Sequence, residues 1–261
     1  MNFHYIIAHF KDDSMEKLEL IRTDEYKVHS YEVDFGRRIR LSVLNRFMQE
    51  SAWRHAETLG AGFASLRSKN YAWVLTRIVL NLEKLPTWGS FINLSTWPSG
   101  LDRFFAYRDF LFNDADGHEI GRATSSWCVI DLADRRPQPV ANIFPFRMPA
   151  DKALLFPERP PKIEAPIETD FRWHTKVGYQ DLDTNEHVNN VRYIDWIYET
   201  LPLDFLKAHS IRRLEINYLT ETLYGQEITA TTQIISDTTY LHAVIQSSNQ
   251  NVICLARTFW Q

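Results

Sequence analysis

The stretch FRWHTKVGYQDLDTNEHVNNVRYIDWIYETLP, residues 171–202, changes its periodicity midway. FRWHTKV reads as a strand, whereas from Val191 onward Ile194, Ile197, Tyr198 and Leu201 recur at helical spacing until Pro202 closes the pattern. Four strand-like runs follow: RRLEINYL (212–219), EITATTQIIS (227–236), YLHAVIQSS (240–248) and NVICLARTFW (251–260). Upstream the order is the same. A helical pattern through Leu44, Phe47, Met48, Ser51, Ala52, His55 and Leu59 stops at Gly60. It precedes AWVLTRIVLNLEKL (72–85), SFINLSTWP (90–98), FFAYRDFLFN (104–113) and ATSSWCVIDL (123–132), with Asp116-Gly117 as a hairpin turn between the last two. Eight of the eleven prolines fall between Pro137 and Pro166, and because proline fixes φ and removes a donor this segment reads as a linker. The expected chain is α+β and duplicated, with two curled antiparallel sheets each wrapped around a central helix. Its expected parts are a first domain at 1–148, a Pro-rich linker at 149–170 and a second domain at 171–261.

Composition removes several classes of function. Lys plus Arg is 29 against 33 for Asp plus Glu, and residues 1–25 alone carry three basic and six acidic side chains, so a general nucleic-acid binder is disfavoured. Cys128 and Cys254 stand alone in apolar runs, which fits reduced core thiols and a cytoplasmic protein. The opening MNFHYIIAHF is too short to span a bilayer and lacks a basic start, so neither a membrane span nor a signal or transit peptide is expected. Neither G-x-G-x-x-G nor G-x-x-x-x-G-K occurs, G-x-S-x-G is missing, and His118-Glu119 lacks a second histidine. No cofactor and no metal are expected.

The densest polar cluster in the second half is DLDTNEHVNNVRYIDWIYE, 181–199. Asp183, Asn185 and His187 alternate, which in an extended segment aims their side chains one way, toward the start of the following helix. Free N–H groups there suit an oxygen that gains negative charge during acyl transfer. Asn189 or Asn190 capping the helix, with Asp183 and Asn185 making turn hydrogen bonds, is the equally simple structural reading.

NEHVNNVRYIDWIYE resembles the signature of the plant-type acyl-acyl carrier protein thioesterases. WVLTRIVLNLEKLPTWG (73–89), YRDF (107–110) and GRATSSWCVID (121–131), followed by Arg135-Arg136, resemble that family's first half in order and spacing. The resemblance runs from about Val43 to Trp260 and identifies a bacterial-type member without a transit peptide. It implies a tandem double hotdog, with the acyl-chain pocket in the first half and catalysis in the second. It also implies hydrolysis of a fatty acyl thioester to free fatty acid and holo-acyl carrier protein. Residue by residue, it implies Asp183, Asn185, His187 and Glu221 as the catalytic set. Where family members often have Cys after the glutamate, this chain has Thr222, so water activated by Glu221 or His187 is the expected nucleophile, and Asp183 is expected to orient His187.

Acyl carrier protein is acidic, so docking should use local basic residues; Arg37, Arg38, Arg40, Arg135, Arg136, Arg192, Arg212 and Arg213 are the candidates. Of the first-half tryptophans, Trp53, Trp73, Trp88, Trp97 and Trp127, most should pack the core and some should line the acyl tunnel. His55, on an apolar helix face, reads as a core histidine. Competing functions are an acyl-CoA thioesterase, a hotdog 3-hydroxyacyl thioester dehydratase and a non-catalytic acyl-thioester sensor. One chain already contains an internal pseudo-dimer, and further pairing into a homodimer is left open.

Overall fold

The computed structural model describes residues 19–261, so the opening MNFHYIIAHF lies outside the described residues. The first half comprises β1 (Arg22–Lys27), α1 (Leu41–Thr58), α2 (Phe63–Arg67), β2 (Tyr71–Leu82), β3 (Phe91–Leu101), β4 (Phe105–Asn113), β5 (Glu119–Asp131) and the short β6 (Pro137–Gln138). The second comprises β7 (Phe171–Lys176), α3 (Asn190–Glu199), α4 (Leu203–Ala208), β8 (Ile211–Tyr218), β9 (Glu227–Ser236), β10 (Thr239–Gln246) and β11 (Val252–Trp260). This is the α+β double hotdog. In α1, Leu44, Met48, Ala52 and His55 turn inward at helical spacing, and Gly60, at φ +71°, takes the left-handed position that ends the helix.

The two expected curled sheets join edge to edge into one continuous antiparallel sheet in the order β1-β3-β4-β5-β2-β8-β11-β10-β9-β7. The seam is β2 against β8, where Ile78 faces Ile216, Val79 faces Glu215 and Leu80 faces Leu214. Each half places its own helix on the concave face, and α1 and α3 touch there. Both halves carry the same irregularity in the ladder: Trp127 faces Leu75 beside a bulge at Thr76 in β2, and Trp260 faces Ile211 beside a bulge at Arg212 in β8. The seam is therefore isologous, with a pseudo-two-fold axis through Val79 and Glu215.

The proline-rich segment is a strap laid over the outer face of the sheet. Leu155 N donates to Asp109 Oδ2 (3.0 Å), Arg77 Nη1 to Pro160 O (3.0 Å) and Asn217 Nδ2 to Pro161 O (3.0 Å), while Ile163 N donates to Asn217 Oδ1 (2.9 Å). Ile163 is buried against Ala243 and Leu255. A chain rich in proline offers few donors of its own, so the sheet's polar side chains satisfy its carbonyls.

Candidate active site

Residues 181–189 do not run extended. Asp183 N donates to His187 O (2.8 Å) and Glu186 N to Asp183 O (3.1 Å), closing a tight turn with Glu186 at φ +63°. The Asp183 carboxylate accepts from the backbone N–H of Asn185 (2.8 Å) and of His187 (3.3 Å). It thus shapes the loop through its backbone, and no hydrogen bond joins it to the His187 ring, contrary to the expected orienting contact. Beyond the turn, Val188 N donates to Thr222 O (2.9 Å), and His187 bridges to Leu223. This tie sets the loop beside the segment that leaves β8, where Glu221 follows.

Since β8 runs antiparallel to β2, its outgoing end lies beside the start of β2 and the end of β5, in the other half of the molecule. The loop and Glu221 therefore overlook the first half. They meet there a cavity of about 650 Å³ with Asn185, His187 and Glu221 in its polar wall. Its apolar wall includes Trp53, Ala56, Trp73, Trp127, Phe144 and Phe146. Trp53, Trp73 and Trp127 thus line the cavity, Trp97 is buried in the core, and Trp88 is half-exposed beneath the Arg37 guanidinium. Asp183 is not part of the lining. Nor is any residue of α3: Asn189 caps that helix by accepting from Val191 N (3.1 Å), so the expected helix N–H groups do not face the cavity.

His187 Nε2 lies 3.6 Å from Glu221 Oε2, and Arg135 Nη2 from the first half forms an ion pair with the same oxygen. Nothing in the sequence pattern links Arg135 to Glu221; only the sheet order brings them together. Thr222 is fully buried, and its Oγ1 accepts from Tyr193 OH (2.9 Å), so it faces the core. Cys128 and Cys254 are buried and free; burial pushes the Cys128 thiol up to about 11 and Cys254 higher still, which suits inert core thiols.

His55 is buried, with Nε2 donating to Glu19 O (2.9 Å) and Nδ1 accepting from Arg108 Nη1 (3.0 Å). Burial and then the Arg108 charge hold its pKa down at about 4, so it is a neutral core histidine.

The eight candidate docking arginines separate. Arg192 pairs with Asp181 and Asp195 (both 2.7 Å), and Arg213 pairs with Glu215 (2.7 Å). Arg212 donates to the carbonyls of Leu82 and Glu83. Arg38 pairs with Asp34 (3.1 Å) and donates to Leu206 O and Ser210 Oγ (both 3.0 Å). These four make internal contacts. Arg37 and Arg40 lie across the pseudo-two-fold axis from the cavity mouth, whereas Arg135 and Arg136 lie beside it. Among the described residues, the Arg136 guanidinium has no carboxylate partner. The same residues include no helix long and apolar enough to cross a membrane.

Residues 19–144 match the family described as Acyl-ACP thioesterase N-terminal domain, and residues 164–261 match the Acyl-ACP thioesterase C-terminal domain. Oleoyl-acyl carrier protein thioesterase 1, chloroplastic, of Arabidopsis thaliana is 28% identical over 91% of this chain and 75% of its own length. Palmitoyl-acyl carrier protein thioesterase, chloroplastic, of Gossypium hirsutum is 33% identical over 77% of this chain, which spans about half (52%) of that relative. Among solved structures, an acyl-ACP thioesterase from Bacteroides thetaiotaomicron superposes with a TM-score of 0.84 at 29% identity, covering 92% of this chain and 98% of that one.

Proposed function

The chain belongs to the acyl-ACP thioesterase family, and from that premise we propose that it hydrolyses fatty acyl thioesters of acyl carrier protein to free fatty acid and holo-carrier protein. The observation that carries this reading is the placement of Asn185, His187 and Glu221 in the polar wall of a cavity whose opposite wall is mostly aromatic and aliphatic, with Arg67, Arg108, Arg135 and Arg147 also on its lining. A fatty acyl chain fills the apolar part, and its thioester is left at the polar wall.

Glu221 takes a proton from water as the water oxygen attacks the carbonyl carbon. Asn185 Nδ2 and His187 Nε2 donate to the oxyanion that forms, and collapse of the tetrahedral intermediate breaks the C–S bond. The thiolate of the carrier's pantetheine arm leaves and recovers the proton. Asp183 serves this set by holding the backbone of Asn185 and His187. Carrier protein docks at the mouth with Arg136 on its contact surface, and two buried reduced thiols suit a reducing compartment such as the cytoplasm. The division into 1–148, 149–170 and 171–261 follows the two halves and the strap between them.

Free-thiol release measured on long-chain acyl carrier protein, the matching acyl-CoA and a 3-hydroxyacyl thioester tests the reading. Higher kcat/KM on acyl carrier protein than on acyl-CoA is expected, without dehydration. Equal efficiency on acyl-CoA would remove the carrier-protein specificity, and binding without thiol release would make the protein a sensor.

A further inference from the structure

Arg135 sits where a side chain is costly. The turn after β5 is closed by Arg135 N donating to Asp131 O (2.9 Å) and Asp131 N to Arg136 O (3.0 Å), and Ala133 N and Asn70 Nδ2 both donate to Asp131 Oδ1 (2.7 and 3.2 Å). Arg135 takes φ +61°, the left-handed region that costs a non-glycine residue roughly 1 kcal/mol. From that position its guanidinium crosses the seam between the halves to Glu221 Oε2. The same oxygen faces His187 Nε2 at 3.6 Å, while Glu221 Oε1 has no partner among the described residues, and the residue lines the cavity.

We propose that Arg135 is a positioning residue: by holding Oε2 of Glu221 it fixes the carboxylate so that Oε1 is the oxygen that removes a proton from the attacking water. This rests on Glu221 acting as the base of the hydrolysis proposed above. The electron balance is that of the hydrolysis itself. The water proton goes to Oε1, the water oxygen bonds to the carbonyl carbon, the C–S bond breaks, and the proton passes on to the departing thiolate. A guanidinium suits the task because it stays charged and makes directed hydrogen bonds, whereas a freely rotating carboxylate would present its base in many orientations.

The informative variant is Arg135→Gly, because glycine relaxes into φ +61° and the fold should be no less stable. With acyl carrier protein thioester as substrate, kcat should fall between about tenfold and 100-fold, as for a misplaced catalytic group, with KM changing far less. Added guanidinium ion should restore part of kcat, and Arg135→Lys should fall between the two. In a Glu221→Gln background, Arg135→Gly should produce no further loss. Wild-type kcat in Arg135→Gly would overturn the proposal. So would a change confined to KM, which marks a docking arginine, or a full multiplicative loss on top of Glu221→Gln. Failure of the underlying function is seen separately, as absence of thiol release by the unsubstituted protein.

Discussion

Val28–Leu41 and Val177–Asn190 follow the same backbone course and carry different chemistry. In each loop an aspartate closes the turn: Asp34 N donates to Arg38 O (2.8 Å) as Asp183 N does to His187 O (2.8 Å). Arg37 (φ +60°) and Glu186 (φ +63°) occupy the same left-handed position. Ile39 N donates to Pro86 O (2.8 Å) as Val188 N does to Thr222 O (2.9 Å). Following that register, Gly36 stands where Asn185 is, Arg38 where His187 is, and Leu85 where Glu221 is. Of these four positions only the aspartate is common to both. The residue shared by the two loops is the one the turn geometry requires, and the three that differ are those placed at a cavity. The first-half loop has become structural: Arg38 staples it to the carbonyls and hydroxyl at the end of α4.

The interiors differ in the complementary sense. α1 runs 18 residues and its last turns roof the cavity, whereas α3 stops after ten. Pro202 then turns the chain into α4, and Phe205 packs against Trp260 (5.1 Å) and Tyr240 (4.9 Å), with Tyr198 on the same tryptophan (5.7 Å). Trp260 occupies the position of Trp127, which lines the open cavity. The cavity that bears Asn185, His187 and Glu221 therefore takes its apolar wall from the first half and those three polar residues from the second, and the seam joins them.

The comparison breaks most directly at the loops. Glu221→Gln and His187→Ala should each lower kcat by about 10²-fold or more, the worth of a general base or an oxyanion donor, with the melting temperature little changed. Arg38→Ala, at the position matching His187, should do the reverse, leaving kcat near wild type and lowering stability by roughly 1–3 kcal/mol as buried acceptors lose their donor. Steady-state kinetics and denaturant titration on the same preparations separate the two effects. An inactive but stable Arg38→Ala would mean that the first-half loop takes part in the reaction.

The interiors give a second contrast. Phe205→Ala removes the half-buried ring that packs on Trp260 and Tyr240 and should cost on the order of 2–3 kcal/mol, less than a fully buried phenylalanine, without altering chain-length preference. Ala56→Phe adds a ring to the cavity wall and should shift kcat/KM toward shorter acyl chains, each excluded methylene forfeiting about 0.8 kcal/mol of burial. Unchanged chain preference in Ala56→Phe would place the acyl chain elsewhere.

Much of this architecture was legible in the residues. Both long helices, the strands beyond them and the Asp116-Gly117 hairpin follow from periodicity and turn chemistry. β1 was not singled out because the half-buried face of RTDEYK is Arg22, Asp24 and Tyr26, whose burial is made tolerable by the Arg22–Asp24 ion pair (2.7 Å) and the Tyr26–Ser51 hydrogen bond (2.8 Å). Such an edge strand has no apolar alternation to read. α2 and α4 are too short for a 3.6-residue period to repeat. Asn185 and His187 stand out in the polar cluster before the helix, Glu221 is picked out only through the family resemblance, and the three converge on one cavity. The duplicated loop left only a faint signal, a valine six residues before an aspartate and an apolar residue five after it, in both halves. The extended reading of 183–187 failed because alternation cannot register a turn closed by an aspartate side chain.

That aspartate carries the smallest and sharpest test. If Asp183 and Asp34 are both turn builders, Asp183→Asn and Asp34→Asn should both keep the turn, because an asparagine oxygen can accept the same backbone N–H bonds; Asp183→Asn loses only the charge assistance, and Asp34→Asn the Arg38 ion pair as well. Each should cost about 0.5–1 kcal/mol, and Asp183→Asn should retain kcat within a few-fold. If instead the Asp183 charge held the His187 ring as the acid of a catalytic triad does, the asparagine would cost a factor approaching 10⁴ in kcat with stability intact. Asp183→Ala does not separate these cases, since a loosened turn also displaces Asn185 and His187; the isosteric pair does. A loss beyond about 100-fold in Asp183→Asn alone, with Asp34→Asn active, would restore the aspartate to the chemistry and end the equivalence of the two loops.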